Sequence, residues 1–370
     1  MKKDSSNEIE YMSDEYQDLP QEDRLNWLSH KLFNKEYKDI TYVLVTYHIH
    51  EQLLKENKTR TGLYQWQNIF NGDVKYPSDI SNYEDYDIVQ VNMSSQDVPL
   101  VSEIRNKLGD NSNTKLVLNN DYGLEMWDKS FPHPEILFNS IAKFPDMIFN
   151  TEYYGATAMS VLTGRKCFII PHPADVKRLK ALPKIPTKDV ISVIWRRYDN
   201  FSYIPSLALR DLPIKKRLIG YDPKLDSQSW LTRSLYDEVL EGTNFYDFCD
   251  QLRESKIVYD PYTYHSYNRA GVDCAAMGVP VVGSNRTQSI NVCYPFTKVD
   301  PFDVSTAKRL IENLLSNDEF RQKVIDYAQS HAEVYNYRNS MEKYLMALYE
   351  ESYNYESSSE NPKFTVDRIA

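Results

Sequence analysis

The chain is predicted to fold as two α/β domains, each a parallel sheet flanked by helices. Three observations predict it. Short β-branched runs alternate with helical stretches along most of the 370 residues, and such alternation builds parallel sheets. The length suffices for two domains with full cores. The stretch Ser255 to Asn285 also holds a complete strand–loop–helix–strand unit. In it, Lys256–Tyr259 is an apolar strand and Tyr267–Met277 a helix with the small residues Ala270, Ala275 and Ala276. Gly278-Val279-Pro280 stops the helix, and Val279–Val282 begins the next strand. The loop of this unit lies at the carboxyl end of a strand, where open α/β sheets bind ligands.

From the amino end, residues 1–19 are polar and acidic and read as a disordered tail, not a signal peptide. Pro20–Phe33 follows as a helix, with Leu25, Trp27, Leu28, Leu32 and Phe33 as its apolar stripe. Ile40–Val45 is the first buried strand. It runs into Tyr47-His48-Ile49-His50, a polar stretch, Gly62, and a helix from Leu63 to Phe70. His48 and His50 alternate as on a strand end, with both rings on one face. With no third ligand nearby in sequence, a polar cleft wall is favoured over a metal site. Tyr86–Val91 and Lys115–Leu118 are strands separated by a helix over Val98–Leu108. Asp121 follows the second of them, placed to cap the helix carrying Leu124, Met126 and Trp127, to face a cleft, or both. Met147–Asn150, a helix over Ala156–Leu162 and the strand Cys167–Ile170 lead to Pro171-His172-Pro173-Ala174-Asp175. His172 either reaches a cleft or is a satisfied structural histidine. The Pro-containing segment at residues 176–189 marks a linker.

Val190–Trp195 opens the second domain as a strand and ends in Arg196 and Arg197. Lys216–Gly220 is another strand, and Tyr246–Ser255 a helix with Phe248 and Leu252 on one side. The loop Asp260–Ser266 ends at the start of the Tyr267–Met277 helix. Free N–H groups and the helix dipole make such a start an anion site, with Asn268 and Arg269 in its first turn. Helices over Thr306–Leu315, Glu319–Glu333 and Ser340–Glu350 follow, and the Ser/Glu/Asn-rich sequence after Ser352 reads as loose.

Composition narrows the function classes. A content of 41% hydrophobic and 26% charged residues is that of a soluble globular protein. No apolar run approaches the roughly 20 residues of a membrane span. The net charge of −10 argues against a broad nucleic-acid surface, though not against a local basic cleft. The four cysteines form no CxxC pair and read as reduced, buried thiols of a cytoplasmic protein.

The string Asp273-Cys274-Ala275-Ala276-Met277-Gly278-Val279-Pro280-Val281 resembles the donor-nucleotide motif of GT-B glycosyltransferases, the retaining, glycogen-synthase-like kind (group 1, family 4-like). That motif reads Glu, seven residues, Glu, then Ala-Met-Ala-x-Gly-x-Pro-Val. Asp273 falls on its second Glu, which in the family accepts hydrogen bonds from the nucleotide ribose. His265 falls on the first, which faces the transferred sugar, so a carboxylate is replaced by a group that can donate. Pro171 to Asp175 is similar to the family's Pro-Asn-Gly-Val-Asp at the end of the first domain. Arg196 or Arg197 falls where a family arginine clamps the donor diphosphate; the partner lysine is replaced by Phe201 or Ser202.

The resemblance implies a GT-B fold: a first Rossmann-like domain over residues 20–180 and a donor-binding one over 190–335, facing across a cleft. A helix over 336–352 then crosses back on Met341, Tyr344, Leu345 and Leu348, and 353–370 is a flexible tail. It implies sugar transfer from a nucleotide donor to an acceptor, with retention, no bound cofactor and no metal. Asp121, His265 and His172 become catalytic candidates, and Arg196, Arg197, Tyr264, Ser266, Tyr267, Asn268, Arg269 and Asp273 donor contacts. His48, His50 and Gly62 lie on the acceptor side. A nucleotide-sugar epimerase or hydrolase, or a non-catalytic subunit, are the alternatives on the same fold.

Overall fold

Two six-stranded sheets, parallel throughout, carry the fold. The computed structural model describes residues 14–47, 49, 62–93, 97–110, 112–121, 123–127, 133–195, 203–221, 234–241 and 244–359. The first sheet comprises β1 (Tyr42–Val45), β2 (Asp73–Lys75), β3 (Ile88–Asn92), β4 (Lys115–Asn120), β5 (Met147–Asn150) and β6 (Cys167–Ile169), in the order β2-β1-β3-β4-β5-β6. The second comprises β7 (Lys188–Ile194), β8 (Lys215–Tyr221), β9 (Glu238–Glu241), β10 (Ser255–Asp260), β11 (Val281–Ser284) and β12 (Lys298–Val299). Its order, β12-β11-β10-β7-β8-β9, reverses between β7 and β10. Read from β9, this is the doubly wound order in which dinucleotides bind at the reversal.

Central strands are buried on both faces, so their β-branched runs are continuous: Tyr42–Val45 and Val190–Ile194 have no exposed residue. Helices cover both faces of each sheet. The Arg269–Met277 helix presents Ala270, Val272, Ala275 and Ala276 to the second core and ends at Gly278 in the left-handed region (φ 73°).

The helix Tyr337–Ser359 does cross back to the first domain. Met341, Tyr344, Leu345 and Leu348 join the core that also holds Leu25, Leu28, Tyr42, Leu44, Trp66 and Phe149. The Tyr344 hydroxyl donates to Gln90 Oε1 of β3 at 3.0 Å, and Arg24 Nε bonds Glu342 Oε1 at 2.5 Å. Leu345 is fully buried. Leu345→Ala is expected to cost about 2–5 kcal/mol, read as a lower midpoint in denaturant.

Several expected boundaries move. Of the tail expected to be disordered through residue 19, residues 1–13 lie outside the described residues and the rest is ordered. Asp14–Gln17 forms a helical turn, and Tyr16 is buried against Trp27, its hydroxyl on Glu342 Oε1 at 3.1 Å. The last helix runs to Ser359, past the expected limit of 352, because Ser, Glu and Asn carry only small helix penalties. The linker at 176–189 contains the short helix Val176–Lys180, capped by the Asp175 carboxylate, and yields its last two residues to β7. The helix after β10 begins at Arg269, not Tyr267, because Asn268 is left-handed (φ 61°).

Candidate functional site

Asp121 and His172 stand at the carboxyl ends of β4 and β6. His172 Nε2 lies 2.8 Å from Asp121 Oδ1, which also accepts from Thr151 Oγ1 at 3.3 Å. On the other side of the ring, Trp66 Nε1 donates to His172 Nδ1 at 3.0 Å. An indole N–H can only donate, so Nδ1 must carry a lone pair. The proton of the ring therefore sits on Nε2 and is donated to Asp121. The imidazole is walled in: its side chain is 3% exposed, whereas that of Asp121 is 36% exposed. Gly62 lies against it, since a Cβ there would fall 2.6 Å from His172 Cβ. Asp121 Oδ2 has no partner among the described residues.

The second domain meets this pair directly. Tyr267 donates its hydroxyl to the carbonyl of His172 at 2.7 Å, and the two rings pack edge to face with centroids 5.8 Å apart. Burial pushes the Tyr267 phenol far up, so it stays a donor. His265 meets the loop after β4. Its backbone N–H and ring Nδ1 are 3.1 and 2.5 Å from the two carboxylate oxygens of Glu125. Gly123 touches the His265 carbonyl so closely that a Cβ would come within 1.9 Å of the oxygen. Tyr154 lays its ring 4.0 Å, centroid to centroid, from that of His265. Just before it, the buried Glu152 caps the helix Tyr153–Thr163 by accepting from the N–H groups of Tyr154 and Gly155. Burial raises the Glu152 carboxyl above its ordinary value, against those two bonds.

The loop after β10 is tied down by its own domain. Arg286 Nη1 donates to Thr263 O at 2.7 Å, and Asn268 Nδ2 to the buried Asp260 Oδ2 at 2.5 Å. Ser266 Oγ accepts the Asn268 N–H at 3.1 Å, and Tyr264 packs edge-on to Tyr262. Arg269 turns inward: Nε bonds Asp273 Oδ1 at 2.7 Å and Nη1 the carbonyl of Pro173 at 3.2 Å. The side chain of Asp273 is 3% exposed, so this ion pair is buried.

Of the residues singled out from sequence, the structure thus brings together Asp121, His172, Gly62, Tyr267 and His265. Tyr264, Ser266 and Asn268 line the loop beside them, and Arg269 and Asp273 pair beneath it. His48, His50, Arg196 and Arg197 lie outside the described residues. Trp66, Thr151, Glu125 and Tyr154 were not anticipated, since each reaches its partner across the fold. No group of three metal-ligating side chains occurs among the described residues. The Asp85-Tyr86-Asp87 string precedes β3 at the opposite end of the sheet, where Asp87 bonds Thr41 and Lys35. No described helix is long and apolar enough to cross a membrane.

No protein-family model and no curated protein sequence matches the chain. Solved structures do. A trehalose-6-phosphate synthase, studied for glycosyl transfer with retention, matches with a TM-score of 0.62 at 11% identity, over 84% of this chain and 99% of its own. Sucrose-phosphate synthase from Thermosynechococcus elongatus matches with 0.53 at 13%, over 86% of this chain and 82% of its own. S. aureus TarM, in complex with fondaparinux, alpha-GlcNAc-glycerol and UDP, matches with 0.56 at 14%, over 74% of this chain and 57% of its own. These likenesses, with two doubly wound domains meeting at their strand ends and a last helix returning to the first, establish that the chain has the GT-B fold.

Proposed function

We propose that the chain is a glycosyltransferase, moving a sugar from a nucleotide-sugar donor to an acceptor held between the two domains. The observation that carries this is the meeting of both sheets' carboxyl ends beside Asp121, where Tyr267 and His265 of the second domain bond His172 and Glu125 of the first. Structures of similar fold bind UDP-2-fluoro glucose or UDP, which supports a nucleotide donor. The donor's nucleotide would lie at the β7/β10 reversal. Arg196 or Arg197, just after β7, would meet its diphosphate. A guanidinium suits a leaving diphosphate because its charge is permanent and its donors are fixed in a fork.

Asp121 would take a hydroxyl of the reacting sugars, its other oxygen held by the neutral His172. The contacts of Tyr267 and His265 with the first domain would keep water out while the acceptor attacks. Retention of configuration and independence of a divalent metal complete the proposal.

Thermal unfolding with UDP, GDP, ADP, TDP and CMP, each with and without EDTA, tests it. One nucleotide at about 100 times its dissociation constant should stabilise the chain by about 2.7 kcal/mol, with EDTA making no difference. The matching nucleotide sugar should then release diphosphate only when an acceptor is present. A flat response to all five nucleotides would refute the assignment. Free sugar formed without acceptor would identify a hydrolase instead.

A further inference from the structure

We propose that Glu125 fixes the tautomer of His265, so that ring atom Nε2 offers the donor sugar a lone pair and takes a hydrogen bond from one of its hydroxyls. The sugar half rests on the glycosyltransferase reading above; the tautomer half does not.

An ionised carboxylate only accepts hydrogen bonds. Glu125 Oε1, 2.5 Å from His265 Nδ1, therefore requires a proton on Nδ1. In the uncharged ring that leaves Nε2 as an acceptor. The carboxylate cannot swing away easily, because its other oxygen holds the His265 backbone N–H at 3.1 Å. Nor can the turn retreat, with Gly123 pressed on the His265 carbonyl and Tyr154 against the ring. His265 Nε2 bonds nothing among the described residues, and the side chain keeps 20% of its surface open.

His172 is the mirror case. Trp66 takes its Nδ1 lone pair, so its proton is on Nε2 and already committed to Asp121. Two imidazoles at one site are thus held in opposite tautomers, one by the buried Trp66 and the other by the half-buried Glu125. One is closed to ligands and serves Asp121; the other is open and presents an acceptor. A sugar hydroxyl is the matching donor. Glu125 acts through His265 and is a positioning residue.

Long-range 1H–15N correlation of the full 15N-labelled chain at pH 8 reads each tautomer, with His265 assigned from the spectrum of His265→Gln. The expected result is Nδ1–H for His265 and Nε2–H for His172. In Glu125→Ala, His265 should shift toward Nε2–H while His172 stays unchanged. Nε2–H on His265 in the unsubstituted chain overturns the proposal without any substitution having to fold.

Affinities for UDP-glucose and GDP-mannose, each against the free diphosphate, test the other half. Glu125→Ala should weaken the nucleotide sugar roughly 10- to 100-fold, the range of a lost oriented contact, and leave the diphosphate unchanged. Equal weakening of both would mean Glu125 is only structural and overturns the sugar contact. Failure of both nucleotide sugars and both diphosphates to bind sinks the sugar half together with the proposed function, and the tautomer half is still decided by the spectra.

Discussion

Asp121→Asn is expected to lower sugar transfer by roughly 10²- to 10⁴-fold, the span of a positioned acid or base, while the chain stays folded. The amide oxygen of Asn still accepts from His172 Nε2–H, which preserves the 2.8 Å bond. What is lost is the negative charge and the acceptor at the open oxygen. Asp121→Ala adds a second penalty: it strands the Nε2–H of a nearly buried ring, at a cost of about 1–3 kcal/mol. Steady-state rates and unfolding midpoints of the two variants separate these roles. If Asp121→Asn transfers sugar like the parent, Asp121 is only a fastener for His172.

The largest loss of stability is expected from Arg269→Ala. The variant leaves the Asp273 carboxylate buried without its guanidinium, a situation that costs about 3–5 kcal/mol. Burial works against the Arg269 charge, but the charge and hydrogen bond of Asp273 outweigh it and hold the group above its ordinary value. The midpoint of the second domain should fall by on the order of ten degrees. Replacing both residues at once, Arg269→Met with Asp273→Leu, should recover most of the loss, since apolar side chains of similar size remove the buried charge that lost its guanidinium. A double variant as unstable as the single one would mean that the pair does more than neutralise itself.

How much of this was readable in advance follows from burial. The central strands announced themselves because both faces are covered and their sequences are continuous apolar runs. The edge strands β2, β9 and β12 did not: Asp73–Lys75, Glu238–Glu241 and Lys298–Val299 are short, charged and partly exposed, as sheet edges tend to be. The same holds for the site. Asp121, His172 and His265 were legible because each follows a strand, and strand ends are where open sheets place ligands. Their partners were not. Trp66 is 106 residues from His172, and Glu125 is 140 residues from His265, so no local pattern links them. Arg269 and Asp273 are four apart on one helix, a spacing that suits a salt bridge as well as a ligand contact.

The returning helix also has a consequence for how the protein is made. The first domain is translated before the second, yet part of its core, around Tyr344 and Leu345, comes from residues translated after all twelve strands. Until then Trp66, Leu44 and Phe149 lack their cover. At a synthesis rate of about 5–20 residues per second, the stretch from Lys188 to Val299 alone keeps that face open for on the order of ten seconds. During this interval the nascent first domain offers a sticky apolar groove to chaperones and to other chains alike. Its completion on the ribosome is thus timed by the elongation of its neighbour.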